Sequence, residues 1–373
     1  MVLAGVSDGA RLCFNSLVLM NMIIKSLCFA AVLALTSSCT DGKANDLVED
    51  WPWEDPEDGG QTEPETSMTE PNQAYVDMGW VNVSEEYGTL PEYINIYKSP
   101  SKLEGRKAVA YIAVADMKSA GWAVWSVKSD LTYKTDDSYK TPSEVYEAKK
   151  CPVVINGGYF FWSDGNYTSS LAASNGDVLA YNINYASEDW VSVYFPTRAA
   201  FLQKANGKFD ACWTYVTSGG SHYVYTRPAD NSFDKEPLEV PSASFPTYAS
   251  AFDAETAIGG GPVLLDNGNV MNTWKEEMFD VGGVEPLSAH PRTAIGVTSD
   301  DKLVMFVCEG RNMTDGVAGL TTGEVAEVLK DLGCFEAINL DGGGSSCMLV
   351  NGYETIKPCG GSQRAVASAV IIL

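Results

Sequence analysis

The chain has 373 residues, 45% of them hydrophobic and 20% charged, enough for one large domain or two ordinary ones. A formal net charge of −24 repels polyphosphate backbones and argues against nucleic-acid binding. With only His222 and His290, no HExxH and no CxxC pair, a structural or catalytic zinc site is disfavoured as well.

The N-terminus reads as a targeting segment. Lys25 precedes the apolar run 26–35, and Thr36-Ser37-Ser38-Cys39 follows, the order of a secretory signal. The run is too short for an ordinary membrane span. A cysteine directly after small residues fits a lipoprotein signal in which Cys39 is acylated. A plain signal peptide with an incidental cysteine is the alternative. Met20 or Met22 is a more natural start than Met1, so residues 1–19 read as upstream read-through. Residues 40–73 are acidic and polar, too poor in apolar side chains to offset ordering entropy, and read as a flexible tether. The expectation is an exported protein, lipid-anchored to the membrane at the periplasmic face or outer surface of the cell envelope.

Residues 74–373 read as a single α+β domain. Runs 109–115 and 121–127 are strand candidates. Thr141-Pro142-Ser143-Glu144 opens a short helix through Lys149, with a cap, a proline at the first position and a glutamate at the third. The run 151–155 is a strand that leads into Asn156-Gly157-Gly158-Tyr159-Phe160. Residues 175–250 are rich in Tyr, Ser, Asn and Pro, with strand-like fragments at 191–195 and 223–225. They read as hairpins and long loops, a loop-rich insertion that shapes a substrate cleft. Strands are expected at 294–297 and 303–308. A helix follows from Thr321 to Leu332, with Val325, Val328, Leu329 and Leu332 on one stripe and Gly333 as its stop. The strand 337–340 breaks at Asp341-Gly342-Gly343-Gly344-Ser345-Ser346. Asn351-Gly352 marks a hairpin turn, and 365–373 closes as a strand. Strands outnumber helices, so the expected fold is α+β, a large mixed or antiparallel sheet with a few packed helices. Six cysteines follow the tether. Export permits disulfides, but Cys151 and Cys308 flank apolar runs and read as buried free thiols.

The segment from Asn339 to Ser346 carries most of the chemical information. A buried strand delivers Asp341 to its end, and three glycines then let the backbone approach a ligand and gather N–H groups into an anion-binding hollow. Ser345 and Ser346 add hydroxyls. The competing reading is a flexible turn with Asp341 as its first residue. Arg292 leads into one strand, Arg311 leaves the next, and Arg364 precedes the last. In so acidic a chain such guanidinium groups suggest phosphate or carboxylate recognition; local ion pairs, such as Arg311 with Glu309, are the alternative. Asn156 and Tyr159 suit a sugar hydroxyl and a sugar face, and a tight turn before a core aromatic explains the same residues. Glu324 is a secondary candidate for a catalytic carboxylate, although Glu three residues after Thr321 is sufficient as a capping box.

Taken in order, these motifs resemble the phosphodiester glycosidase family over about residues 150–373. The matching elements are Asn156-Gly157-Gly158-Tyr159-Phe160, Gly260-Gly261-Pro262, His290-Pro291-Arg292-Thr293-Ala294, Gly310-Arg311, the capped helix from Thr321, Asn339 to Ser346, and Arg364. The resemblance implies hydrolysis of a sugar-1-phosphate diester or glycan phosphodiester at the anomeric carbon. It implies Asp341 as nucleophile or base, with Glu324 in reserve. Arg292, Arg311 and the amides of Gly342, Gly343 and Gly344 would then hold the phosphate; Asn156 would position the sugar and Tyr159 stack on it, Gly157, Thr293 and Ser345 would contact the substrate, and Arg364 would support. No cofactor is implied, and a divalent ion beside Asp341 stays open. The alternatives are a phosphodiesterase that breaks P–O and a non-catalytic glycan-binding lipoprotein.

Overall fold

A computed structural model of the protein describes residues 70–373, apart from 163–164 and 281. The signal segment, Cys39 and most of the tether lie outside the described residues. Every strand pairing is antiparallel. An eight-stranded sheet runs in the order Val81–Asn82, Ile94–Lys98, Ala110–Asp116, Lys302–Cys308, Arg292–Thr298, Cys334–Asn339, Val263–Asp266, Asn269–Val270.

Its central strand shows why this sequence forms a sheet covered on both faces. In Leu303-Val304-Met305-Phe306-Val307-Cys308 successive side chains point to opposite sides. Val304, Phe306 and Cys308 join the cluster that holds Val325, Val328 and Leu329 of the helix Thr322–Asp331. Leu303, Met305 and Val307 join the cluster of Phe201, Trp213, Ile338 and Val370. Each large side chain so enclosed contributes about 1.5–3 kcal/mol relative to exposure.

The second face packs on a seven-stranded sheet, ordered Asp177–Ala180, Ala172–Ser174, Ala254–Gly259, Arg198–Lys204, Phe209–Val216, His222–Tyr225, Ser250–Ala251. Four of these strands come from residues 175–250 and pair as the expected hairpins; they belong to the core, while the long loop 181–197 between them lines a cavity. The segment's Arg-Ala-Ala-Phe-Leu run is buried throughout, and such a short run shows no alternation. Residues 191–195, by contrast, are not a strand; Tyr194 forms only an isolated bridge with Ala186. A five-stranded sheet contains Tyr353–Glu354, Met348–Val350, Val153–Asn156, Ser368–Ile372 and Trp122–Ser126.

Among the described residues there are three α-helices, Gln73–Asp77, Pro142–Lys149 and Thr322–Asp331. The fold is therefore more β than the α+β expectation, because helical periodicity occurs in only two windows while the remaining apolar runs pair as strands. Both longer helices carry complete capping boxes, Thr141 with Glu144 and Thr321 with Glu324. In the turn after Val350, Asn351 and Gly352 take φ of 47° and 83°, the left-handed values a two-residue hairpin turn needs. All six cysteines of this region are free thiols; five are buried and Cys359 is half-buried. No helix among the described residues is long and apolar enough to cross a membrane.

Candidate active site

Strands Val153–Asn156, Arg292–Thr298 and Cys334–Asn339 end side by side, and Asn156 ties these ends together. Its Nδ2 donates to the Asp341 carbonyl at 2.7 Å, and its Oδ1 accepts from Thr293 Oγ1 at 2.8 Å and from the Cys347 amide at 3.1 Å. Asn156 and Thr293 are fully buried with their polar atoms used in this way. They fix the floor of the site and do not reach a sugar, which corrects the expectation for both. Gly157, expected at the substrate, is a packing residue instead: a Cβ there would lie 2.3 Å from Ser368 Oγ.

Above that floor is a cavity of about 700 Å³ to which Asp341, Gly342, Gly343 and Gly344 contribute one wall. Burial raises the Asp341 carboxyl to about 6, against the pull of the Ser345 hydroxyl, Arg364, the Gly342 amide and Arg292. Of the chain's seven arginines, four line this one cavity: Arg198, Arg292, Arg311 and Arg364. The local field is cationic although the protein as a whole is strongly acidic.

Arg311 and Arg364 are the exposed pair. Arg311 donates through Nε to His290 Nδ1 at 3.4 Å and through Nη1 to Cys359 Sγ at 3.6 Å. His290 Nε2 in turn lies 2.6 Å from Glu285 Oε2. Arg364 donates to Ser345 Oγ at 3.3 Å and lies over the Trp162 ring at 5.8 Å. Neither guanidinium forms an ion pair with a carboxylate among the described residues.

The glycines explain themselves against these two side chains. A Cβ on Gly344 would stand 2.2 Å from Arg364 Nη2, and one on Gly343, at φ 58°, would stand 3.0 Å from Arg311 Nη2. The run is a seat for guanidinium groups. It is not the open nest of amides expected from three glycines, because the Gly343 N–H donates to the Pro291 carbonyl at 2.8 Å and the Gly342 N–H to the Asp341 carboxylate. Ser345 is buried beneath, linking Arg364 to Asp341 instead of facing a ligand.

Arg292 also departs from its expected role. Nε donates to the Leu320 carbonyl at 3.0 Å, Nη1 to Val284 at 2.9 Å, and Nη2 to Glu285 and Ser288, both at 2.8 Å. Four of its five donors hold the backbone of 284–288 and Leu320, leaving one for a ligand. Its charge, held by carbonyl dipoles and facing Glu285 and Asp341 only through space, remains at the cavity wall. Glu324 is outside the cavity. It completes the helix cap and pairs with Arg106. Burial raises its pKa, but the Thr321 amide and Arg106 outweigh that and leave the pKa lowered, so it remains an ionised cap.

Tyr159 does line the cavity, but its hydroxyl is committed: it donates to the Gly261 carbonyl at 2.6 Å and accepts from Asn339 Nδ2 at 2.9 Å. Burial, then Asp341, pushes the phenol well above its ordinary range. The cavity lip carries Phe161, Trp162, Tyr185 and Trp190, all exposed, a suitable stacking surface for sugar faces. The sequence reading missed these residues along with Arg198 and Phe279, and named His290 only as part of the motif before Arg292. Thr197-Arg198-Ala199-Ala200 repeats the form of Pro291-Arg292-Thr293-Ala294, an arginine at the head of a buried strand, and that was the available signal.

Among the described residues no group of three or more His, Cys, Asp or Glu side chains is placed to share a metal ion. This is an antiparallel β-protein with an arginine-lined cavity to which Asp341 and Glu188 contribute carboxylates. The chain belongs to the phosphodiester glycosidase family, whose model matches residues 149–373 and so includes every cavity residue. It is similar to the zebrafish N-acetylglucosamine-1-phosphodiester alpha-N-acetylglucosaminidase catalytic domain auto-inhibited by its pro-peptide. The identity is 20%, the TM-score 0.50, and the coverage 75% of this chain and 82% of that one. A hypothetical protein from Synechocystis is similar at 16% identity and TM-score 0.49, over 75% of this chain and 62% of that one. The SPbeta prophage-derived uncharacterized protein YomE of Bacillus subtilis strain 168 is 37% identical over 83 residues, 22% of this chain. The match spans 13% of that protein's length.

Proposed function

We propose that the protein is a hydrolase that cleaves a sugar-1-phosphate diester between the anomeric carbon and the phosphate oxygen. The observation that carries this reading is the convergence in one cavity of Asp341 with the guanidinium groups of Arg311 and Arg364, neither of them ion-paired among the described residues. Family membership and the fold shared with the zebrafish enzyme's catalytic domain support it.

In this reading Arg311 and Arg364 hold the phosphate, and the buried charge of Arg292 adds to the field it experiences. The exposed aromatics hold the sugar. As the anomeric C–O bond breaks, the phosphate monoester leaves with the bonding electrons and needs little protonation, because its charge is already matched. Positive charge then develops on the ring, and the Asp341 carboxylate lies where it can stabilise it. Water adds its oxygen to the anomeric carbon and gives its proton to Asp341, a base whose pKa of about 6 suits that transfer near neutral pH. Export and acylation at Cys39 would place this reaction at the cell envelope.

Turnover of an activated aryl sugar-1-phosphodiester by wild type and by Asp341→Asn tests the assignment. Loss of roughly a thousandfold or more in a folded Asn variant is the expected result, in the range found when a catalytic polar group is removed. Near-wild-type rates would remove Asp341 from the chemistry.

A further inference from the structure

One charged group in the cavity has no task in the reaction just described. Arg198 opens the strand Arg198–Lys204, is 7% exposed, and lies over the Phe279 ring with Cζ 4.4 Å from its centroid. Its Nε is enclosed and has no hydrogen-bond partner. Its outer nitrogens donate to none of the described residues, and no carboxylate pairs with it there. Glu277 acts on it only through space, since that carboxylate already accepts from the Ala199 and Val263 amides, Thr273 Oγ1 and Trp213 Nε1. Burying an unsatisfied guanidinium costs several kcal/mol, and a fold that served only stability would have replaced it with an apolar side chain.

Its position separates it from the phosphate-holding pair. Arg364 and Arg292 act on Asp341 and Arg198 acts on Glu277, while Tyr159 lies between and feels both Arg292 and Arg198. From the Asp341 wall the path to Arg198 runs past Tyr159 and then Phe279, whose rings are 5.4 Å apart. The cavity therefore has two cationic stations divided by an aromatic pair.

We propose that Arg198 binds a second anionic group, a carboxylate carried by the sugar, so that the preferred substrate is an acidic sugar, a uronic acid, linked through its anomeric phosphate. This rests on the reading of Arg311 and Arg364 as the phosphate site. A carboxylate would supply the planar pair of acceptors that a guanidinium fork lacks here and would neutralise a charge that a hydroxyl or amide oxygen leaves standing.

Calorimetric titration of the full chain with glucose 1-phosphate, glucuronic acid 1-phosphate and free glucuronate tests it, with wild type beside Arg198→Gln and Arg198→Met. Wild type is expected to bind the uronic acid phosphate at least tenfold more tightly than the neutral one, and the ratio should fall to about one in both variants. Both variants should also melt no lower than wild type, since they remove a buried unpaired charge. A ratio near one in wild type, or a preference that survives in the variants, overturns the proposal. So does a variant that melts much lower, because that would make Arg198 structural. Glucuronate that binds only when Arg198 is present, with no gain from phosphate on either sugar, would uphold the second station and reject the phosphate site. Absence of binding by all three ligands would reject both.

Discussion

The guanidinium of Arg364 occupies the space that a side chain at Gly344 would need: an added Cβ would stand 2.2 Å from Nη2. Glycine at this point is a requirement of the arginine's position. The same loop presents Asp341, so the geometry of the carboxylate and of the cations is set together.

Gly344→Ala is therefore expected to separate activity from stability. The clashing atom is the far end of a flexible side chain, which can swing away at a stability cost of about 1 kcal/mol or less, but the phosphate site loses its shape. A rise of at least tenfold in KM with a melting temperature within a few degrees of wild type is the expected result. Kinetics and a thermal scan on the same preparation check it.

Arg292 and Arg311 should behave as opposites. Arg292→Met leaves four carbonyls of the 284–288 and Leu320 backbone without donors, and is expected to destabilise by about 3 kcal/mol or more. Arg311→Met removes an exposed group with two weak contacts and should leave stability within about 1 kcal/mol while weakening phosphate binding tenfold or more. Denaturant titrations of both variants measure the contrast.

Glu324→Ala is expected to cost about 1 kcal/mol through the lost cap and the Arg106 pair, with kcat/KM unchanged within twofold. A large loss of activity in a stable variant would return Glu324 to the catalytic machinery.

The raised Asp341 pKa makes a paired statement about rate and stability. With a folded value of about 6 against an ordinary 3.8, the native state holds this proton more tightly than the unfolded chain. The contribution to stability is full below pH 3.8 and is lost as pH rises through 6. Asp341→Asn should therefore raise stability at neutral pH, by an amount on the order of 3 kcal/mol. The rate, which needs the ionised carboxylate, should fall about tenfold per unit as pH drops below 6. A pH–rate profile and melting curves of the Asn variant read both.

How much of this was legible in the chain depends on how local each cause is. The helix caps at Thr141 and Thr321, the Asn351-Gly352 turn and the buried run 303–308 are written in adjacent residues, and they appear where expected. Asp341 and its glycines were also visible as a strand end, although the reason for the glycines lies in Arg311 and Arg364, distant in sequence. Arg292 was recognisable as an unusual residue but not as a holder of carbonyls, because its partners belong to an irregular loop without pattern. The segment 175–250 was opaque for another reason: its two long strands, Arg198–Lys204 and Phe209–Val216, are buried on both faces over most of their length, so no alternation marks them. Arg198 was lost with them.

Hydrolysis in ¹⁸O-water tests the central claim most directly, because it identifies the bond that breaks without assuming any residue's role. The sugar product should carry the label at its anomeric hydroxyl, with none in the released phosphate monoester. Label found in the phosphate instead would mean attack at phosphorus, and the assignment of Asp341 to the anomeric carbon would be wrong.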